Sequence, residues 1–254
     1  MYLRAVSRRP DRTAPTRPIA FAHRGASALA PENTLEAFRL AVALGATGLE
    51  SDVHVSRDGA AMLVHDDRVL AGVDWIAIRD RTADELESID IPRLASLYAQ
   101  VGATWPLSLD LNDADPLEAA VAVMAAAADV GPAATEALLL CHGDRRVLEH
   151  VRRRSGAVRL VHSTAPRYLP SVAEHAGRLA DLGIDVVNLH WEEWGTDREA
   201  SAAVEAVHRA GLRAFAWDTQ TTAIATRMVR LGIDGIYADD PRVLVDAIRD
   251  PGPA

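Results

Sequence analysis

The sequence predicts an α/β protein, a (β/α)8 TIM barrel built as a single domain. Three observations support this fold class. From residue 18 onward, short apolar runs alternate eight times with stretches of helical length. The chain has 254 residues, close to the usual size of one such barrel, and its 49% apolar residues are enough for one large core. Since a helix follows each strand, the strands should run parallel, with the chemistry at their carboxyl ends.

Each predicted strand is a short apolar run, and each predicted helix carries an apolar stripe. The strands are expected at 19–22, 47–53, 106–111, 137–141, 158–162, 184–189, 212–217 and 235–237. The helices are expected at 34–44, 116–128, 145–153, 168–182, 198–210, 221–231 and 241–248. Glycine follows four of these helices, at 45, 183, 211 and 232, where a helix commonly ends.

The alternation breaks after the second strand. A short hairpin around 60–64 and two helical pieces near 83–88 and 93–101 predict an elaborated loop over the barrel mouth. Residues 1–17 are rich in arginine and proline and contain no apolar run of signal-peptide length, so they are predicted to be a disordered extension. An arginine-rich organellar transit peptide is the alternative, which Asp11 and the prolines disfavour. The barrel domain is then expected to span residues 18–250.

The composition limits the class of partner. A formal net charge of −9 argues against nucleic acid, which usually requires a basic face. It also disfavours stable membrane association, and no stretch approaches the roughly 20 apolar residues of a membrane span. The expected partner is a small molecule. The one cysteine, Cys141, permits no internal disulfide, so a cytoplasmic location is predicted. Oligomeric state leaves no mark in the sequence.

Three carboxylates are expected at the mouth of the barrel. Glu50 and Asp52 lie two residues apart on the second strand and therefore share one face, and Asp110 ends the third strand on its inward face. Carboxylates brought together in this way repel each other unless a cation neutralises them, so the pattern favours oxygen-ligated Mg²⁺ or Ca²⁺. A solvated strand edge is the alternative interpretation of Glu50 and Asp52.

Two imidazoles and a guanidinium are expected at the same mouth. His23 and Arg24 follow the first strand directly, an arrangement typical of a phosphate site. His65 ends the extended segment after the Asp58-Gly59 turn and is expected to return to this place. In the alternative interpretation, His23 only satisfies backbone groups and Arg24 pairs with a surface acid.

Several short motifs occur in a fixed order over residues 20–67. They are His23-Arg24-Gly25, Pro31-Glu32-Asn33-Thr34, Ala37-Phe38, Gly45-Ala46, Glu50-x-Asp52-Val53, Asp58-Gly59 and His65-Asp66. In order and spacing this segment resembles the glycerophosphodiester phosphodiesterase family, and weaker similarities continue through Trp217 to Pro241.

The resemblance implies a role for each candidate residue. His23 and His65 would be the general acid and base, and Arg24 would hold the phosphoryl oxygens, with Trp217 as a wall of the site. Glu50, Asp52 and Asp110 would bind the divalent metal. The implied reaction is metal-dependent hydrolysis of glycerophosphodiesters to an alcohol and sn-glycerol 3-phosphate, in which imidazoles transfer protons near neutral pH.

Departures from the family pattern keep two alternatives open. The family usually has Glu and Lys at the positions of Asp110 and Asn112, and Asn at that of Gln220. Loss of the lysine charge motivates a barrel that binds phosphate esters without catalysis. The other alternative is a phospholipase D-like hydrolase of lysophospholipids or other phosphodiesters, for which Trp191 and Trp194 would form an aromatic lip.

Histidines lie at the predicted carboxyl ends of three of the later strands. His142, His162 and His190 fall at the predicted ends of strands four, five and six, and the strand pattern places them on the far wall of the mouth. There His142 and His162 would contact an anionic group of the substrate. The alternative is that each histidine caps backbone groups, since a shift of one residue reverses a side chain.

Overall fold

Eight parallel strands close into a barrel in the computed structural model, which describes residues 17–165 and 171–251. The strands follow chain order around the barrel, and the first strand pairs with both the second and the last, which closes the sheet. The barrel strands are β1 (Ile19–Ala22), β2 (Gly48–Val55), β6 (Leu107–Leu111), β7 (Leu138–His142), β8 (Arg159–Ser163), β9 (Val186–His190), β10 (Arg213–Trp217) and β11 (Gly235–Ala238). The predicted fold class is confirmed.

The helices cover the outside of the barrel or lie in the loop after β2. They are α1 (Leu35–Ala43), α2 (Ala83–Glu87), α3 (Leu94–Val101), α4 (Pro116–Val130), α5 (Pro132–Ala137), α6 (Arg145–Arg154), α7 (Val172–Asp181), α8 (Asp197–Arg209), α9 (Thr222–Arg230) and α10 (Pro241–Arg249). The short α5 was not predicted from the sequence. It begins with Pro132 directly after Gly131, which ends α4 with φ of 136°.

The barrel has separate inner and outer layers of apolar side chains. The inner layer contains Phe21, Leu139, Cys141, Val161, Val186, Phe215 and Tyr237. The rings of Phe21 and Tyr237 stack with their centroids 4.6 Å apart. Because neighbouring residues of a strand face opposite sides, this inner layer fixes which residues above it point into the mouth.

The loop after β2 is longer and more regular than predicted. The strand β3 (Ala61–Leu63) pairs antiparallel with β2, as the hairpin signal indicated. A second hairpin, β4 (Arg68–Ala71) with β5 (Asp74–Ala77), was missed. Its apolar residues Leu70 and Trp75 are 58% and 62% exposed, and Val69 and Ile76 on the other face are only partly buried, so the hairpin lacks the fully buried face of a core strand. Gly72 in its turn, with φ of 67°, is the one local signal.

A buried carboxylate ties this loop to the barrel. Asp113, which follows β6, accepts a hydrogen bond from the backbone N–H of Val55 (2.9 Å) and pairs with the guanidinium of Arg79 (2.5 Å). Since Arg79 lies in the 3-10 helix Ile78–Asp80, the ion pair fixes the end of the loop beside the mouth.

The predicted extension over residues 1–17 lies outside the described residues except for Arg17, and so does the predicted start of a helix at 168. Within 17–165 and 171–251, every helix is too short or too polar to cross a bilayer.

Candidate active site

A cavity of about 420 Å³ opens at the carboxyl ends of the barrel strands. Its walls are formed by His23, Arg24, Glu50, Asp52, His65, Asp110, Asn112, Ser163, Asn188, Trp217, Asp218, Gln220 and Tyr237. The two predicted imidazoles, the guanidinium and the three predicted carboxylates therefore line one cavity, together with Trp217.

The three carboxylates converge because of strand register. Asp52 on β2 pairs with Asp110 on β6, and Glu50 lies one inward position below Asp52. Each of the three offers an oxygen, and these oxygens lie within 4.8 Å of one another. Burial, reinforced by Asp52 and Asp110, raises the pKa of Glu50 well above its usual range. Burial and the charge of Asp52 raise the pKa of Asp110 to about 6. A divalent cation held by these three residues would relieve the repulsion.

Arg24 is held against this cluster by its backbone and its side chain. Its backbone N–H donates to Oε2 of Glu50 (2.9 Å), and its Nε lies 3.1 Å from Oδ2 of Asp52. Its Nη1 pairs with Glu32 at 3.0 Å. The guanidinium therefore lies at the edge of the carboxylate cluster, with its remaining N–H groups available to an anion.

The turn that delivers Arg24 requires glycine at the next position. Arg24 and Gly25 both have positive φ, 52° and 80°. A Cβ on Gly25 would lie 2.7 Å from the backbone carbon of Ala37 in α1, closer than van der Waals contact permits. The close approach of this turn to α1 thus explains the His-Arg-Gly motif in local terms.

The Pro31–Thr34 motif helps to position the carboxylate cluster. Thr34 caps α1 by accepting from the backbone N–H of Ala37 (3.2 Å). Asn33 is buried, accepts from the hydroxyl of Ser51 (2.7 Å) and extends its amide toward Asp52 (3.4 Å). The motif therefore orients a carboxylate of the cluster, a role the sequence did not reveal.

His23 has a carboxylate partner that sequence reasoning missed. Its Nδ1 lies 2.6 Å from Oδ1 of Asp239, and its Nε2 lies 3.9 Å from Oε2 of Glu50. Asp239 follows β11 as His23 follows β1, and Ala22 pairs with Ala238. These equivalent positions on two neighbouring strands are the feature of the sequence from which the pairing of His23 with Asp239 could have been predicted. The pairing fixes the ring so that Nε2 faces the cavity side where the carboxylates lie.

His65 reaches the same cavity from the loop. It follows β3, its side chain is 43% exposed, and its Nδ1 lies 2.8 Å from Oδ1 of Asp66. Each imidazole is therefore held at Nδ1 by a carboxylate, so Nε2 is the ring nitrogen that could exchange a proton with a ligand.

Asn112 contacts the cluster directly. Its Nδ2 donates to Oδ1 of Asp52 at 2.7 Å. Together with Arg24 and Asn33, it places donors around both oxygens of Asp52. The side chain at this position thus orients a carboxylate but adds no charge.

The predicted histidine wall is wrong. Cys141 and Val161 belong to the inner layer, so the adjacent His142 and His162 face away from the cavity. His142 accepts from the backbone N–H of Asp144 (2.8 Å), and His162 is buried against His175. The strand β8 extends one residue beyond its predicted end, and the last residue, Ser163, lines the cavity instead.

His190 and the tryptophans also differ from expectation. His190 is absent from the cavity walls. Its Nε2 hydrogen-bonds to Oδ2 of Asp218 (3.0 Å), and its ring packs against Trp217 in an edge-to-face arrangement with ring centroids 4.6 Å apart. Trp194 is 2% exposed, and its Nε1–H donates to the backbone oxygen of Phe215 (3.2 Å). Trp191 is partly buried against the core and is absent from the cavity walls, so the two tryptophans form no lip. The exposed aromatic side chain at the mouth is Trp217.

Fold and site together define a class: a (β/α)8-barrel enzyme with a cluster of oxygen donors and two carboxylate-held imidazoles at its catalytic face. Residues 23–243 match the model of the glycerophosphoryl diester phosphodiesterase family. The chain belongs to this family, whose members are phosphoric diester hydrolases.

Known proteins of this family align over nearly the whole chain. A glycerophosphodiester phosphodiesterase of Caldanaerobacter subterraneus subsp. tengcongensis is 26% identical, over 92% of this chain and 99% of its own. Probable glycerophosphodiester phosphodiesterase 2 of Mycobacterium tuberculosis is 32% identical, over 91% and 90%. A phosphodiesterase of Oleispira antarctica, solved in complex with the product sn-glycerol-3-phosphate, has a TM-score of 0.77 at 22% identity, covering 92% of this chain and 97% of that one.

Proposed function

We propose that this protein hydrolyses glycerophosphodiesters to an alcohol and sn-glycerol 3-phosphate, using a divalent cation and two histidines. One observation carries the proposal: three carboxylates whose oxygens lie within 4.8 Å share a cavity with His23 and His65. Family membership and the names of the relatives support the substrate class, a small phosphodiester.

The carboxylate cluster fits a hard cation. Glu50, Asp52 and Asp110 supply only oxygen donors, and two of them have raised pKa values because they are buried beside each other. Such a donor set suits Mg²⁺ or Ca²⁺. When bound there, the cation supplies charge neutralisation to the phosphoryl oxygens.

Arg24 and the two imidazoles have the remaining roles in the proposed reaction. Arg24 pairs with Asp52 and Glu32 and presents its other N–H groups to a phosphoryl oxygen. One imidazole accepts a proton of the attacking water at Nε2 as the water oxygen bonds to phosphorus, and the other donates a proton to the leaving ester oxygen as its bond to phosphorus breaks. Asp239 and Asp66 hold the two rings through Nδ1, and this fixes the direction in which each Nε2 points.

The alternatives receive less support. The lysophospholipid alternative loses the lip that Trp191 and Trp194 were predicted to form, because Trp194 is buried, and the cavity walls themselves are mostly polar. A barrel that binds without turnover would have no use for two imidazoles held beside a carboxylate cluster. We therefore favour hydrolysis of small glycerophosphodiesters.

The setting of the reaction is also proposed. We expect residues 18–250 to act as one domain, and a cytoplasmic location fits a chain whose single cysteine forms no internal disulfide. The net charge of −9 disfavours nucleic acid as a partner and stable association with anionic membranes.

The test is release of sn-glycerol 3-phosphate from glycerophosphocholine by protein stripped of metal, with Mg²⁺, Ca²⁺ or Mn²⁺ restored in turn. Activity should return with a divalent ion and disappear in His23→Ala, whereas His150→Ala, a matched change on the outer helix α6, should retain it. Undiminished release in chelator, or full activity of His23→Ala, would refute the proposed chemistry. Absence of release with every ion would refute this substrate.

A further inference from the structure

One polar side chain in the cavity lacks a hydrogen-bond partner for its oxygen. Asn188 on β9 lines the cavity and is 6% exposed, and its Oδ1 makes no hydrogen bond to any described residue. Its Nδ2 lies 3.4 Å from the hydroxyl of Ser163 on β8. A buried acceptor without a donor destabilises a protein, so this oxygen is expected to meet a donor from a ligand.

The barrel places this pair across the cavity from the carboxylates. Around the closed sheet, β9 is separated from β2 by three strands in either direction. Asn188 therefore faces the wall that carries Glu50 and Asp52. Ser163 lies on the neighbouring strand β8, where its hydroxyl also contacts the thiol of Cys141.

The chemistry of this wall selects the kind of group it binds. A neutral amide oxygen repels a phosphate oxygen but accepts a hydrogen bond from a hydroxyl. Asn188 is too deeply buried for a bulky cationic head group, and its neighbour Ser163 is also neutral. A phosphodiester with its phosphate at the carboxylate wall can extend one ester arm toward the opposite wall, and a glyceryl arm carries the hydroxyls that Asn188 and Ser163 can bind.

We propose that Asn188 and Ser163 form a hydroxyl-binding subsite that recognises the glyceryl group and makes the enzyme prefer glycerol esters over simple alkyl esters. This inference rests on the proposed function. A site whose buried polar group is left unpaired by the wrong ligand discriminates strongly against that ligand.

Two ligands that differ only in hydroxyls test the subsite. The dissociation constants of sn-glycerol 3-phosphate and n-propyl phosphate are measured by calorimetry with Mg²⁺ for the wild type, Asn188→Leu and Ser163→Ala. The wild type should bind sn-glycerol 3-phosphate about tenfold more tightly or better. Asn188→Leu should remove most of that preference while changing n-propyl phosphate binding less than about twofold, and Ser163→Ala should lower the preference about threefold.

Each other outcome contradicts the subsite. Equal weakening of both ligands would make Asn188 a purely structural residue, and an unchanged preference in both variants would place glyceryl recognition elsewhere. If Asn188→Leu does not fold, judged by its melting curve, Ser163→Ala and the wild-type preference decide. A wild type that hydrolyses glycerophosphocholine but shows no preference overturns the subsite alone, whereas one that neither hydrolyses it nor binds either phosphate overturns the proposed function as well.

Discussion

Acidification should destabilise the barrel through a buried histidine pair outside the active site. His162 is 5% exposed, and its Nδ1 lies 3.1 Å from Nε2 of His175 on α7. Burial first, and then the proximity of His175, lowers the pKa of His162 to about 4. Burial also lowers the pKa of His175. A proton on either ring would place a charge in an apolar setting beside the other imidazole.

The size of the effect follows from the difference in proton binding. In the unfolded chain His162 titrates near its ordinary pKa of 6.5, so between pH 6.5 and about 4 the unfolded state binds more protons. The free energy of unfolding therefore falls as the pH falls through this window. The difference between a pKa of 6.5 in the unfolded chain and about 4 in the folded protein corresponds to about 3 kcal/mol in full, of which about 2 kcal/mol is lost by pH 5.

Urea unfolding at about pH 7.5 and about pH 5 measures this loss. His162→Gln removes the titrating group, and His150→Gln on the surface of α6 is the matched control. Wild type and control should each lose about 2 kcal/mol more on acidification than His162→Gln. If His162→Gln loses as much stability as the wild type between these two pH values, the histidine pair does not govern the acid sensitivity.

Three further predictions concern the site. Asp239→Asn should lower kcat about 10- to 100-fold with little change in KM, because His23 loses the partner that orients its ring; steady-state kinetics check this, with Asp240→Asn as the control that keeps a capping side chain. Glu50→Gln should raise the melting temperature of metal-free protein by about 2–4 °C, since it removes a buried like charge. In Mg²⁺ the variant should melt below wild type, because it has lost a metal ligand. Scanning calorimetry with and without Mg²⁺ measures the two melting temperatures, and a lower value for the variant in both conditions would contradict the repulsion. Gly25→Ala should cost about 2 kcal/mol or more, because its φ is positive and its Cβ would meet α1, and a melting temperature within about 2 °C of wild type would refute that strain.

The carboxylate cluster could be predicted because it depends on local spacing. Glu50 and Asp52 share a face whatever the exact ends of β2, since two residues on a strand are always on the same side. Asp110 follows from the same alternation within Leu107–Leu111, where the leucines occupy the outer face. Such inferences tolerate an error of one residue in a strand boundary.

The opposite wall could not be predicted because it depends on absolute strand position. The predicted end of β8 was one residue too early. His162 was therefore expected in the cavity, although it faces outward and Ser163 faces the cavity. The pairing of His23 with Asp239 joins residues 216 positions apart and requires knowledge that β1 and β11 are neighbours. Closure of the barrel, a global property, brings them together.

The charges of the site explain why the residue at position 112 matters less for charge than for geometry. The carboxylates of Glu32, Glu50, Asp52 and Asp110 surround the single guanidinium of Arg24. These side chains alone repel an anionic phosphodiester, and a lysine at 112 would offset only one of the excess negative charges. A divalent cation offsets two. Asn112 instead donates its amide to Asp52, which keeps that carboxylate turned toward the cluster. In the proposed mechanism, the site would therefore depend on a divalent cation to attract the substrate, and on its neutral amides to hold the carboxylates in place.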